Sequence, residues 1–256
     1  MPKEPLGNVS KGVIKQLKEK LILANKVLEF LKMATPFGHV SVRIPGTETF
    51  LITGPVAPAM ATMEDIVVCD MNGNVLQGKY KKTYSEVAVH TGVYKKRKEF
   101  NSVVHSHSTY VIALSLANLT VLPASLNSNL LGRLPNGLCK PIGLYKKVVL
   151  IDRQTFGEDV ADLLGPNKAV ILKGHGAVVV GNSIEDAIFT ARNLETAAML
   201  QWMANCVGNV VPLTPKEIIQ LNETRKWRNQ PLMAEDREWK YYEHLLRKNP
   251  RRQKTK

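Results

Sequence analysis

Asn101-Ser102-Val103-Val104-His105-Ser106-His107 is the stretch on which the reading of this chain turns. Its β-branched centre predicts a short strand. Residues two apart on a strand point to the same face, so His105 and His107 stand on one side of a rigid element. A second strand-rich stretch, Ala169-Val170-Ile171-Leu172 and then Ala177-Val178-Val179-Val180, brackets Lys173-Gly174-His175-Gly176. The glycines on either side of His175 permit a sharp turn and a close backbone approach. Three neutral imidazoles would leave a divalent ion its full charge and an open position, a catalytic rather than a structural arrangement. On spacing alone two readings stand, because a His-x-His pair also occurs as ordinary hydrogen-bonded strand residues.

Working outward, residues 85–98 read as a helix that leads into the His-x-His strand, with Glu86 at its start, and 109–117 read as the helix that follows. Val13, Ile14, Leu17, Leu21, Ala24, Val27, Leu28 and Leu31 recur at helical spacing and predict a helix over 10–34, stopped by Pro36. Residues 40–44 and 49–53 read as strands parted by Pro45-Gly46, and 66–70 and 74–77 as strands around the turn signal Met71-Asn72-Gly73. A helix over 156–164 ends at Gly165, and Ser183-Ile184-Glu185-Asp186 caps a long helix running to Cys206. Two more helices are expected, after Thr214-Pro215 and over 234–247. Strands joined by both hairpins and helices predict one α/β domain on a mixed sheet covered on both faces. Its expected extent is 1–212, with 213–256 a helical extension ending in a basic tail (Arg247, Lys248, Arg251, Arg252, Lys254, Lys256).

The 256 residues suffice for a sizeable core, and the 44% hydrophobic and 22% charged content is ordinary for a globular protein. Cys69, Cys139 and Cys206 are widely spaced with no Cys-x-x-Cys, which argues against a disulfide framework or thiolate zinc site and fits a reducing compartment. No apolar run reaches a membrane span, and Met1-Pro2-Lys3-Glu4-Pro5 lacks a signal core, so a cytoplasmic protein is expected. The net charge of +13 lies in short runs such as Lys79-Tyr80-Lys81-Lys82 and Lys95-Lys96-Arg97-Lys98. No nucleic-acid motif accompanies them and aromatics are scarce, so they read as solvated faces whose field attracts a small anionic substrate.

In their order these pieces resemble the class II aldolase/adducin family over about residues 12–210. The resemblance rests on Gly38-His39-Val40-Ser41-Val42-Arg43, Ile52-Thr53-Gly54, Val67-Val68-Cys69-Asp70-Met71-Asn72-Gly73-Asn74-Val75, Ser85-Glu86 with His90 and Tyr94, the His-x-His strand, and Lys173-Gly174-His175-Gly176. It implies a three-layer αβα sandwich on a mainly antiparallel sheet. By the same resemblance His105, His107 and His175 correspond to metal ligands and Glu86 to the catalytic acid/base. The implied metal is a divalent ion, zinc foremost, with manganese, iron or cobalt as alternatives. It would stabilise the carbanion left when a carbon–carbon bond breaks. A homotetramer with active sites at subunit interfaces is also implied. Trp239, Tyr241 and Tyr242 occupy the region from which the family's neighbouring subunit supplies a tyrosine.

The departures carry information too. Sugar-phosphate aldolases of the family hold the phosphate with an asparagine and a serine where this chain has His39 and Tyr84. Thr53, Gly54 and Ser85 keep phosphate-binding character, and Ser41 completes the expected substrate pocket. His90, one helical turn after Glu86, is expected to be a buried supporting residue, His244 a surface one. For Glu86 two forces oppose: a helix N-terminus favours the anion, while burial raises the pKa. The expected activity is a metal-dependent carbon–carbon lyase, decarboxylase or aldolase, on a hydroxylated, anionic, unphosphorylated compound. The alternatives are a sugar-phosphate aldolase or epimerase, and a non-catalytic adducin-like interaction module.

Overall fold

Apolar residues on successive positions of the strands divide between two cores, and the sheet between them carries the site. The computed structural model describes residues 5–132, 139–226 and 231–248. The elements run α1 (Lys11–Phe30), β1 (His39–Arg43), β2 (Thr49–Thr53), β3 (Ile66–Asp70), β4 (Val75–Gln77), α2 (Val87–Lys96), β5 (Ser102–Ser106) and α3 (Thr109–Leu116). Then follow β6 (Gly143–Tyr145), α4 (Gln154–Leu164), β7 (Ala169–Leu172), β8 (Gly176–Gly181), α5 (Ile184–Val207), α6 (Pro215–Lys226) and α7 (Pro231–Lys248). Among the described residues the strands form one sheet in the order β4-β3-β2-β1-β5-β8-β7-β6. Only β6 and β7 run parallel; every other neighbouring pair is antiparallel.

Strand β8 shows how the layers arise. Ala177 and Val179 face one core, with Leu21, Leu28, Leu114, Ile188 and Leu194 from α1, α3 and α5. Val178 and Val180 face the other, with Val89 and Val93 from α2 and Val160 and Leu164 from α4. A strand buried on both faces reads as a continuous apolar run, as β7 and β8 do. This is the expected three-layer αβα sandwich on a mixed, mainly antiparallel sheet. Trp239 and Tyr242 of α7 join the first core, so the C-terminal helix packs on the same body as α1 and α5. Residues 249–256, which hold most of the basic tail, lie outside the described residues.

Three elements depart from the sequence reading. Helix α1 stops at Phe30, before Pro36, because Lys32 turns left-handed (φ 56°) and the N–H groups of Lys32 and Met33 close back on Glu29 and Leu28. That is a Schellman ending built without glycine. Helix α2 begins at Val87, leaving Glu86 at the cap position. Strand β6 was not anticipated, since Gly143-Leu144-Tyr145 is too short to show alternation. The predicted cap of α5 is present: Ser183 Oγ accepts from the Asp186 N–H at 3.1 Å.

Candidate metal centre and active site

The antiparallel ladder brings the start of β1, the end of β5 and the start of β8 to one end of the sheet, and α2 begins above them. Register sets His39 directly opposite His105. His105 and His107 point the same way, with Nε2 atoms 3.0 Å apart. The His175 ring lies 4.9 Å from that of His105 and 5.1 Å from that of His107, centroid to centroid. Glu86 Oε2 stands 3.6 Å from His105 Nε2 and 3.4 Å from His175 Nε2. One ligand atom from each of the four lies within 4.8 Å of all the others.

Each of these side chains is held by a separate backbone device. His105 donates from Nδ1 to the Ala177 carbonyl at 3.1 Å, so its Nε2 lone pair faces the cluster. The His107 amide is fixed to the Met33 carbonyl at 2.7 Å, a group delivered by the early stop of α1. His175 closes a turn onto Leu172, with Gly174 left-handed at φ 67°. A Cβ on Gly176 would meet the Ser106 carbonyl oxygen at 2.0 Å, so only glycine lets β8 start this close to the His-x-His strand. Glu86 caps no helical N–H. Its Oε1 instead accepts from the Ile151 amide at 3.1 Å, which turns Oε2 toward the imidazoles.

The donor set fits a divalent cation. An imidazole lone pair, two further imidazoles and a carboxylate oxygen crowd one small volume, and nitrogen with oxygen donors suits zinc, manganese, iron or cobalt. Burial and then the neighbouring imidazoles push His107 down to about 4, and burial pushes His90 down to about 3. Burial and then His90 lower His39 well below the usual imidazole range. At neutral pH these rings are uncharged, the state a metal ligand needs. Burial raises the Glu86 carboxyl, while the His105 and His175 imidazoles lower it when they turn a proton rather than a lone pair toward Oε2, and in the metal-free site the lowering prevails. Of the two opposing forces expected on Glu86, burial does raise it; the opposing force comes from the neighbouring imidazoles.

The expected substrate residues divide. His39 stacks on Tyr84 with ring centroids 4.2 Å apart and lies 5.2 Å from the His105 ring, at the edge of the cluster. Ser41 is fully buried, its hydroxyl 2.6 Å from His90 Nδ1 and 2.7 Å from the Tyr94 hydroxyl, so it lies beneath the pocket rather than in it. Tyr84 donates to the Val56 carbonyl at 2.8 Å and is 2.7 Å from Thr53 Oγ1. The Gly54 N–H donates to the Asp65 carbonyl, and the Tyr80 ring lies where a Cβ on Gly54 would be. Ser85 is exposed. Of the C-terminal aromatics, Trp239 and Tyr242 are buried within their own subunit, while Tyr241 is 57% exposed. His244 is exposed, as expected. The Ile151 amide and the Tyr80 ring left no trace in the sequence. His90 could be noticed from its helical spacing with Glu86.

A cluster of three imidazoles and a carboxylate at the end of a mixed sheet in an αβα sandwich is a candidate centre for metal-dependent chemistry. The chain belongs to the family of the class II aldolase and adducin N-terminal domain, whose model matches residues 19–202. It is 30% identical over 208 residues to a 3,4-dihydroxyphthalate decarboxylase of Arthrobacter keyseri, covering 77% of this chain and 82% of that protein. It is 28% identical over 173 residues to an L-fuculose phosphate aldolase of Methanococcus maripaludis, covering 66% and 86%. An aldolase II superfamily protein from Pseudomonas syringae shares the fold with a TM-score of 0.79 at 24% identity, over 96% of this chain and 98% of that one. Relatives named as decarboxylases and aldolases all cleave carbon–carbon bonds, and the chain is an enzyme of that lyase class.

Proposed function

We propose that this protein is a metal-dependent decarboxylase of a hydroxylated, carboxylated and unphosphorylated substrate, with aldol cleavage as the second reading. The observation that carries the choice is the state of the family's anion pocket. The Tyr84 hydroxyl donates to Val56 and the Gly54 amide to Asp65, and Thr53 Oγ1 lies against Tyr84. A phosphate dianion needs several converging donors, and each one missing in a closed pocket costs about 1–3 kcal/mol. An imidazole and a phenol in place of small phosphate donors suit a carboxylate or a flat, partly apolar acid better. The similarity to a dihydroxyphthalate decarboxylase supports the same choice.

In this reading His105, His107 and His175 hold the metal, zinc foremost. When bound, the ion supplies Lewis-acid stabilisation of the negative charge left on carbon as carbon dioxide departs. Glu86, anionic at the outset, takes the proton of a substrate hydroxyl at Oε2 and returns it to the carbon. The product oxygen regains a proton from solvent. The Ile151 amide on Oε1 keeps Oε2 aimed at the reacting atoms. The active assembly is a cytoplasmic homotetramer. Exposed Trp202, Met203, Val207 and Val211 near the end of α5 offer apolar surface for contacts between subunits, and Tyr241 is the C-terminal aromatic free to reach a neighbouring site.

The test is turnover of hydroxylated aromatic carboxylates, hydroxy-acids and ketose phosphates by the zinc- or manganese-loaded protein, with competition between a phosphorylated hydroxamate and an unphosphorylated aromatic chelator. Carboxylate turnover and tighter binding of the unphosphorylated compound are expected. Tighter binding of the phosphorylated mimic would restore the sugar-phosphate aldolase.

A further inference from the structure

Beneath the pocket runs a chain of buried hydroxyls and imidazoles that the lyase reading does not by itself require. Tyr94 and His90 of α2 and Ser41 and His39 of β1 are all buried. The Tyr94 hydroxyl is 2.7 Å from Ser41 Oγ, Ser41 Oγ is 2.6 Å from His90 Nδ1, and His90 Nε2 is 2.7 Å from His39 Nδ1. Every link lies within ordinary hydrogen-bond range, so each must have one donor and one acceptor. Two directions are conceivable, and they leave opposite faces on His39.

The far end decides between them. If Ser41 donated to Tyr94, the phenol proton would have to go to the Asn101 carbonyl, 3.5 Å away. That is well outside the usual 2.5–3.0 Å range for O–H···O, whereas Ser41 lies inside it. The phenol therefore donates to Ser41. Ser41 then has one proton left and one acceptor, His90 Nδ1. His90, accepting at Nδ1, carries its own proton on Nε2 and gives it to His39 Nδ1. A His39 ring that accepts at Nδ1 carries its proton on Nε2, the ring nitrogen with no other hydrogen bond among the described residues. The Arg43 guanidinium, 4.5 Å over the Tyr94 ring and bonded to the Phe100 carbonyl, holds the phenol at the start of this chain.

We propose that Tyr94, Ser41 and His90 are positioning residues that fix the tautomer of His39, so that it presents an N–H donor to the pocket and selects substrates with an anionic oxygen at that place. A hydroxyl or a carbonyl can accept this bond too, but the charged oxygen of a carboxylate or phenolate accepts it roughly twice as strongly, and that difference is the selection. The inference deepens the lyase reading and rests on it for the substrate, but the tautomer can be read without turnover.

Neutron diffraction from perdeuterated, zinc-loaded protein tests it directly. Deuterium is expected on Nε2 of both His39 and His90, on Ser41 toward His90 and on Tyr94 toward Ser41. Deuterium on Nδ1 of His39 would overturn the proposal, whatever the enzyme turns over. A functional arm uses 2,3-dihydroxybenzoate as the probe. Ser41→Ala removes the donor to His90 and frees both tautomers, and should weaken the binding of this probe about tenfold with zinc content unchanged. Catechol, which has the same chelating pair without the carboxylate, should lose less than threefold. Equal losses for both probes, or none for either, would contradict a tautomer-based selection. An inactive protein with the expected deuterium pattern would instead count against the lyase reading alone.

Discussion

At the scale of single residues the site separates holding a metal from moving a proton. Glu86→Gln keeps the size and the Ile151 contact but removes the charge that faces His105 and His175. Turnover should fall about 10²–10⁴-fold with metal content unchanged by elemental analysis, the usual worth of a positioned acid/base. Near-normal activity would place proton transfer elsewhere. The neutral histidines also make a pH prediction for the metal-free protein. His107 and His90 are depressed to about 4 and about 3, against about 6.5 in the unfolded chain. Between those values the unfolded state binds more protons, so the contribution is fully present above pH 6.5 and is lost as pH falls toward 4. Urea midpoints should drop steadily over that window, and a flat profile would mean that the rings are charged in the fold. A period of two and a glycine-flanked turn marked the three histidines in the sequence, but only the family resemblance singled them out as ligands and gave Glu86 its role. Ser41 was misplaced into the pocket because a motif records which residue is present, not whether its hydroxyl is already engaged. The Ile151 amide was illegible for a simpler reason: every residue but proline has one.

At the scale of elements, the distance from α2 to α4 decides whether Glu86 can meet Ile151. The two helices cross where Gly92 faces Gly157, and a Cβ on Gly157 would lie 1.9 Å from the Ala88 carbonyl oxygen. Gly157→Val should therefore push α4 off α2. It should cost about 1–3 kcal/mol, measured by urea denaturation, as overpacking of a close contact does. Because Ala88 is two residues from Glu86, turnover should fall by more than the stability loss alone explains, with zinc still bound. Unchanged turnover in a destabilised Gly157→Val would show that the Ile151 contact is dispensable. The caps tell the same story about what sequence shows. The local cap of α5, Ser183, was readable within four residues; Ser10 caps α1 at the same short range but was not singled out. The start of α3 has no side-chain cap of its own. Its Tyr110 and Val111 amides donate to Glu195, a carboxylate brought from α5 and more than eighty residues away in the chain. Contacts of that kind form only once the layers have packed, and no local pattern announces them.

For the whole molecule the open quantity is its charge. The net +13 is far from neutral, and the exposed Lys81 and Lys82 precede Tyr84 while the exposed Lys146 and Lys147 precede Ile151, so basic side chains flank both approaches to Glu86 in the chain. Lys147 is paired with Asp159 at 2.6 Å, which leaves Lys81, Lys82 and Lys146 as the stronger source of field. An exposed charge contributes little to stability, but a one-signed field raises the encounter rate of an anionic substrate. The effect must fade as salt shortens the screening length from roughly 30 Å at 0.01 M to roughly 10 Å at 0.1 M. The expected result is a several-fold fall in kcat/KM for a carboxylate substrate over that range, with kcat unchanged. Replacing Lys81 and Lys82 by glutamate should lower kcat/KM at low salt, flatten its salt dependence and leave zinc content as it was. A salt dependence that survives in that double variant would put the steering field elsewhere, and none at all in the parent would mean that the positive charge serves no role in capture.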